Sequence, residues 1–458
     1  MAKKRISKKT GSGKRKVMQE KAITLDEALR VAIGLHQSKK LDDAEGIYRM
    51  ILAQIPDHPD ALHFLGLLMY HRGDRDQAIE LMNKSILIAP EYADAYNNLG
   101  NLYNVNGEFD KAAYHYRKAL EINPSNVSAH NNLGIVLKHL TDFEEAAEAF
   151  LKAIELMPDN ADFYQNLGGV YRRHGKFHES AEAYRKSISL RGYNAQDYDR
   201  LCRTYYLQGD HDEMISVLRE WLKLDPTNPL ALHRMSAMTG ENVPVRASDD
   251  YVSQTFDGFA ESFDKVLSGL EYKAPLWILS AVERLIGKPD GQLSILDAGC
   301  GTGLCGPLVA PYARELVGVD LSAKMLELAK DRGCYTRLIQ AELTAYVAAQ
   351  TVNFDLIISA DTLVYFGDLN PICKAVARVL SKDRYFVFTL ESANIEPEIG
   401  YKINPHGRFA HAEGYIRKTL AGAGLGMAIC ERVMLRYEGG EPVDGFLIAA
   451  SLDDEQEH

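Results

Sequence analysis

A period of 34 residues constrains this chain more than any other feature. Gly66, Gly100, Gly134 and Gly168 stand 34 apart, and each follows a leucine, at 65, 99, 133 and 167. Further along each unit comes a small residue, Ala44, Ala78, Ala112 or Ala146, with an apolar one four positions on: Tyr48, Met82, Tyr116 and Phe150. Proline closes the units at 56, 90, 124, 158 and, after a gap, 226. A fixed period of this length means one supersecondary unit stacked many times, because a single unit cannot bury its apolar face alone. Small residues let paired helices approach, the aromatic fills the space beside them, and proline stops the second helix.

The pattern resembles the tetratricopeptide repeat, two antiparallel helices per unit. Six units are readable, 25–58, 59–92, 93–126, 127–160, 161–194 and 195–228, and a capping helix near 229–238 completes an array over 25–238. The last two are degenerate: Ser180 replaces the alanine and Gly192 the proline of the fifth, while Cys202, Met214 and Trp221 hold signature positions of the sixth. Edge units drift because their outer faces meet solvent or another domain. The sixth is therefore expected to pack toward the second half.

The resemblance implies an all-α solenoid whose concave face is lined by the first helix of each unit. There Asn98, Asn132 and Asn166 recur, beside Asn97, Asn131 and Gln165. An amide donates and accepts at once, so such a ladder suits the backbone of an extended peptide. Several tetratricopeptide proteins, including the glycosyltransferase that modifies Ser and Thr, carry a similar ladder and hold peptides with it. The same amides could instead bridge neighbouring helices. Both readings, a peptide or protein partner on the concave face and a purely internal role, stay open at this point.

The second half turns on Ser294-Ile-Leu-Asp-Ala-Gly-Cys-Gly-Thr-Gly303, followed by Val317-Gly-Val-Asp320. An apolar run ending in Asp297, glycines at 299, 301 and 303, and a second apolar run ending in an acid read as strand, glycine loop, helix, strand. Glycine lets the backbone turn sharply and a ligand come close. An acid at the tip of the second strand can accept hydrogen bonds from both hydroxyls of a ribose. The dinucleotide fingerprint is Gly-x-Gly-x-x-Gly; here the spacing is Asp-x-Gly-x-Gly-x-Gly. A carboxylate before the first glycine repels a pyrophosphate and suits an ammonium.

On these residues the half resembles the class I S-adenosylmethionine-dependent methyltransferases, and the fusion resembles the predicted methyltransferases that carry tetratricopeptide repeats. That implies a Rossmann-like α/β domain with a seven-stranded sheet over 251–458, its last strand antiparallel. S-adenosylmethionine is the implied cofactor and S-adenosylhomocysteine the product. Gly299, Gly301, Gly303, Asp297 and Asp320 would bind it. Leu321 and Met325 would flank the adenine. Glu342 would reach the adenine amino group, with Leu343 beside it, and Ser359 would end the fourth strand against the ligand. Residues 239–250 read as a linker. The aromatic-rich segment after it, within 251–290, resembles a cofactor lid, with Phe256, Phe263 and Tyr272 as lid residues. Ligands of open parallel sheets sit beyond the carboxyl ends of the strands, which makes Asp361 and Tyr365 candidates beside the methyl group and acceptor. Arg408 and Arg436 match segments of the narrower family and are candidates to bind substrate, Arg408 as a two-point carboxylate clamp. His411 is the candidate general base.

At 458 residues the chain is too long for one core, and two to four domains are expected. No apolar run approaches the roughly 18 residues of a membrane span. Six cysteines form no Cys-x-x-Cys pair and no zinc spacing, so neither a disulfide framework nor a metal is indicated, and the cytoplasm is the expected location. The first 24 residues hold nine Lys or Arg against Glu20 and lack an apolar core. They read as a disordered basic tail, solubilising or able to touch RNA or an acidic partner.

Methyl transfer from a sulfonium is an in-line displacement that needs alignment and dryness, not a metal. No Asn/Asp-Pro-Pro-Tyr-like motif ends the fourth strand, where Ser359-Ala-Asp-Thr-Leu-Val364 stands, which disfavours the amide and adenine N-methyltransferases. The expected function is methylation of a peptide or protein that the array recruits or presents. A small-molecule enzyme using the array only to dock a partner, or a scaffold with a cofactor-sensing or inactive domain, are the alternatives.

Overall fold

The structure is a computed structural model in which residues 24–395 and 400–453 are described. The expected basic tail lies outside them except for Thr24, which caps the first helix. Two compact units divide between Gly192 and Tyr193.

The first unit is five helical hairpins: α1 Leu25–Gln37 with α2 Leu41–Gln54, α3 Pro59–His71 with α4 Arg75–Ile88, α5 Ala93–Val105 with α6 Phe109–Ile122, α7 Val127–Leu140 with α8 Phe143–Leu156, and α9 Ala161–Arg173 with α10 Phe177–Arg191. Starts are marked by side chains that accept from the free N–H groups of the first turn, among them Asp74, Asn126, Asp142 and Asn160. The periodic glycines have a steric cause. A Cβ on Gly100 would lie 2.7 Å from the Tyr116 ring, one on Gly134 2.8 Å from Phe150, and one on Gly66 2.9 Å from Met82. Each glycine thus vacates the place that the large side chain of its own hairpin fills, and Tyr116 and Phe150 are fully buried as a result.

The second unit opens with α11 Ala195–Gln208, α12 His211–Leu224 and α13 Pro229–Thr239, so the degenerate sixth repeat and its cap share a compact unit with the sheet. The stretch read as a linker is held in place: Ala247 N–H donates to Tyr365 O (2.8 Å), and the N–H groups of Gly367 and Asp368 both donate to Val245 O (2.9 and 2.8 Å). Ser248 then caps α14 Asp249–Asp257, which α15 Phe263–Gly269 and α16 Ala274–Ile286 follow.

The sheet is built from β1 Leu293–Ala298, α17 Gly306–Val309, β2 Ala313–Asp320, α18 Ala323–Asp331, β3 Arg337–Gln340, α19 Leu343–Ala348, β4 Phe354–Ser359, α20 Asn370–Val379, β5 Leu380–Ser392, β6 Tyr401–Ile403, β7 Phe409–His411, α21 Glu413–Gly422, β8 Leu425–Glu438 and β9 Glu441–Leu452. Strands run β3-β2-β1-β4-β5 in parallel, β9 joins β5 antiparallel, and β8 closes the edge against β9. All seven expected strands are present, and β6 and β7 raise the total among the described residues to nine. The cause lies in β5, which outruns β4. Their pairing ends at Ser359 with Phe388, and β7 pairs in parallel with Glu391 and Ser392 beyond it. Both faces are apolar, as a covered parallel sheet requires. Leu296, Val319, Ile357 and Phe388 pack on one side, Ile295, Leu316, Ile358 and Val387 on the other.

Candidate active site

The three glycines after β1 all have positive φ, 78° at Gly299, 53° at Gly301 and 81° at Gly303. Their surroundings differ. A Cβ on Gly299 would lie 2.2 Å from Thr362, and one on Gly303 2.9 Å from Tyr335, whereas one on Gly301 would meet nothing within 4 Å. Two glycines are thus demanded by packing, and the middle one opens onto free space. Asp320 ties the loop to β2, accepting from Gly301 N–H and from Ser322 N–H, each at 2.9 Å. Burial holds its carboxyl above the usual range despite those donors.

Asp297 is 1% exposed and accepts a 2.6 Å hydrogen bond from the Tyr335 hydroxyl. Burial, opposed by that bond and reinforced by Asp320, pushes its carboxyl up to about 7. Two acceptor-only groups flank a glycine whose missing side chain leaves room. That pair of acceptors fits a ligand offering a diol and an ammonium, as S-adenosylmethionine does.

The aromatic segment lies over this loop through its acids. Asp257 accepts from Ser322 Oγ, the hydroxyl that also caps α18, and from Lys324 N–H (3.5 Å). Asp264 accepts from Thr302 Oγ1 (2.6 Å) and pairs with Arg332. Between them, Phe256 meets Phe263 and Tyr365 edge to face, with centroids 6.0 and 5.5 Å away. Tyr272, partly exposed, packs against the core residues beneath, and burial drives its phenol well above the ordinary value. Sequence reasoning named the rings and missed the acids, although the repeated Phe-Asp pairs at 256–257 and 263–264 carried the signal.

Other expected cofactor residues have duties inside the fold. Glu342 folds back to cap α19, accepting from Thr344 N–H (3.0 Å) and Ala345 N–H (2.7 Å). Its extra methylene lets the carboxylate turn onto its own helix, so the expected adenine contact is one it does not point to. Ser359 is fully buried and donates to Ala298 O (2.8 Å). Met325 and Leu343 are buried, and Leu321 is part-exposed, its carbonyl accepting from Gln340 (3.1 Å).

Beyond β4 and β5 lies a charged network. Asp361, at φ 55°, accepts from Arg436 Nη1 (2.6 Å), while its Oδ1 is buried and without a partner among the described residues. Arg436 also pairs with Glu391 and Glu438. Arg408 donates to Glu391 (2.8 Å) and pairs with Glu438, and Asn404 donates to Glu391 (3.1 Å). Burial opposes ionisation of Glu391, yet Arg408, His406 and Arg436 together hold it below the usual carboxylate range. This corrects the expectation for Arg408 and Arg436, because a substrate carboxylate would have to displace Glu391 or Glu438 to be clamped by them. His411 is corrected too. It is 0% exposed, its Nε2 lies 3.1 Å from Gly367 O, and burial drives it down to about 4, so it is neutral and enclosed instead of open to a substrate. Tyr365 lies in the same neighbourhood as Asp361 and Arg408, and burial pushes its phenol up.

The turn that carries Arg408 is fastened to the repeat cap. His233 of α13 lies 2.7 Å through Nε2 from Gly407 O and stacks on Tyr251 at 3.8 Å. In the first unit, Asn98 Nδ2 lies 2.8 Å from His63 Nε2, Asn132 donates to Asn101 (2.9 Å), and Asn166 donates to Asn131 (3.3 Å). The ladder therefore links successive hairpins.

Comparison with known proteins accords with both halves. Residues 295–383 match the methyltransferase domain family, and residues 35–103, 93–126 and 125–191 match three tetratricopeptide repeat families. Among curated proteins, the chain is 28% identical over 156 residues to the probable S-adenosylmethionine-dependent methyltransferase CRG1 of Saccharomyces cerevisiae, covering 32% of this chain and 52% of that protein. It is 38% identical over 84 residues to methyltransferase-like protein 27 of Homo sapiens, covering 18% and 34%. The chain spans about half or less of the length of these two relatives. The solved structure described as "Functional Characterization of Pseudomonas Aeruginosa pilF" is similar at 19% identity and a TM-score of 0.39, over 46% of this chain and 96% of that one. The chain joins tetratricopeptide repeats to a methyltransferase domain. Among the described residues, no helix is long and apolar enough to cross a membrane.

Proposed function

We propose that this chain is an S-adenosylmethionine-dependent methyltransferase whose repeat array recruits or presents a peptide or protein substrate or partner. The observation that carries the first part is the loop at 299–303, with one glycine open to a ligand between Asp297 and Asp320. The cofactor would supply an electrophilic methyl group. Asp320 would accept from the ribose hydroxyls and Asp297 from the ammonium. Phe256, Phe263 and Tyr365 would exclude water from the sulfonium, which strengthens every directed contact to it. Asp361 and Tyr365 would face the approaching acceptor. For the array, support comes from the fold itself and from the recurrence of Asn98, Asn132 and Asn166 on the first helices of successive units, side chains that can both donate and accept.

Calorimetry with S-adenosylhomocysteine should give binding to the full chain and none to Asp320→Ala; undiminished affinity in the variant would remove the ribose assignment. Labelled methyl transfer into a lysate should place label in protein. Label confined to small metabolites would favour a small-molecule acceptor, and binding without transfer a cofactor-sensing scaffold.

A further inference from the structure

The ring of Tyr335 occupies a slot cleared by three glycines from separate segments. A Cβ on Gly303, in the loop, would come within 2.9 Å of it, one on Gly306, at the start of α17, within 2.7 Å, and one on Gly318, in β2, within 3.0 Å. The phenol that fills this slot reaches Asp297 Oδ2 at 2.6 Å, and Oδ1 carries no hydrogen bond among the described residues. Such a clearance serves a side chain whose place matters. A buried carboxylate needs a donor, and a neutral one is the only kind that steadies it without repelling an arriving ammonium.

We infer that Tyr335 is a positioning residue, which holds one oxygen of Asp297 and leaves the other for the ammonium end of the cofactor. The inference rests on the cofactor reading above. It also helps to account for Gly306, where a Cβ would meet the Tyr335 ring and Cys334 at 2.7 Å, while Gly318 clears Leu338 and Cys300 as well.

The groups that face Asp297 are Tyr335, Tyr272 ahead of α16, Cys300 and Cys305 of the loop, Cys334 beside Tyr335, and Asp320 on β2. Burial pushes the thiols and phenols up, so they are neutral near pH 7, and Asp320, itself raised by burial, is the other carboxyl facing Asp297 among the described residues. Asp297 itself sits at about 7, and the Tyr335 bond acts to lower it. Removing that bond moves the carboxyl higher. An ammonium is bound by the ionised form, so affinity rises as pH rises through the carboxyl's own value, and the rise must shift upward in Tyr335→Phe.

Affinity should be measured by calorimetry between pH 6 and 9 with two probes: S-adenosylhomocysteine, and 5′-methylthioadenosine, which has the nucleoside and no amino-acid moiety. For Tyr335→Phe we expect about tenfold weaker S-adenosylhomocysteine binding at pH 7, a midpoint displaced upward, and recovery at high pH, with 5′-methylthioadenosine unchanged. Asp297→Asn, which keeps size and shape, should flatten the pH dependence. Parallel weakening of both probes with an unmoved midpoint means a merely structural tyrosine and overturns the inference, as does an unchanged profile. Absence of S-adenosylhomocysteine binding by the unaltered chain would instead sink the cofactor reading.

Discussion

The proposed site has two ends, one where we place the cofactor and one where we place the acceptor, and they are made in different ways. At the cofactor end, carboxylates meet backbone N–H groups and neutral hydroxyls: Asp320 with Gly301 and Ser322, Asp297 with Tyr335, Asp257 with the Ser322 hydroxyl and Lys324 N–H. At the acceptor end, charged side chains meet each other, with Asp361, Glu391 and Glu438 around Arg408 and Arg436. The first arrangement holds acids ready for a donor-rich ligand. The second is closed on itself and fixes the ends of β4, β5 and β8 relative to the turn that bears Arg408.

The comparison is broken most forcefully at Arg436, which is 2% exposed and touches all three acids. Arg436→Met keeps the bulk and leaves Asp361 without its cation, while Glu391 keeps Arg408. Removing one partner of a buried ion pair costs about 3–5 kcal/mol. Asp361, which burial already holds above the usual range, would rise further above its unfolded value, so the stability it contributes is present in acid and lost as pH rises. Denaturant unfolding should accordingly show a deficit that is larger at pH 8 than at pH 5. A deficit below about 1 kcal/mol at both would mean the network is incidental.

Gly299→Ala tests the other end. The new Cβ would lie 2.2 Å from Thr362, which also donates to Gly299 O (3.0 Å), and φ is 78°. Left-handed strain and overpacking together should cost about 2–4 kcal/mol in unfolding. Thr362→Ser alongside should return little, since Oγ1 is itself among the colliding atoms.

The contrast also decides what could be read in advance. The cofactor end is local: a strand, a bend and a strand tip supply Asp297, the glycines and Asp320 within 24 residues, and backbone requirements of that kind leave a spacing pattern. Repeat joints are local as well, each glycine and its aromatic lying in one hairpin. The acceptor end draws on residues 361, 391, 404–408 and 436–438, which only the crossed order of β4, β5, β7 and β8 brings together. Arg408 and Arg436 could be picked out as residue types, but Glu391, the acid that occupies them, sits in an apolar strand with nothing around it to mark a partner. His411 was misplaced for a related reason, since the three-residue strand that buries it is too short to show alternation. Tyr335 lies outside every motif, and its trace is the set of glycines at 303, 306 and 318 that give it room.

The smallest expected effect on stability sharpens the comparison best. Gly301 has φ 53° and nothing within 4 Å of its absent Cβ. Gly301→Ala therefore carries left-handed strain of about 1–2 kcal/mol and no overlap with the protein. Its N–H still reaches Asp320, so the loop keeps its tether. If the open side is where the nucleoside lies, the methyl group intrudes on the ligand alone. The variant should unfold only slightly more easily than the unaltered chain yet lose most of its affinity for S-adenosylhomocysteine, about 100-fold for a contact as close as a glycine loop provides. Gly299→Ala should show the reverse balance, with stability falling first. Affinity preserved in Gly301→Ala would place the nucleoside elsewhere and leave all three glycines as folding devices.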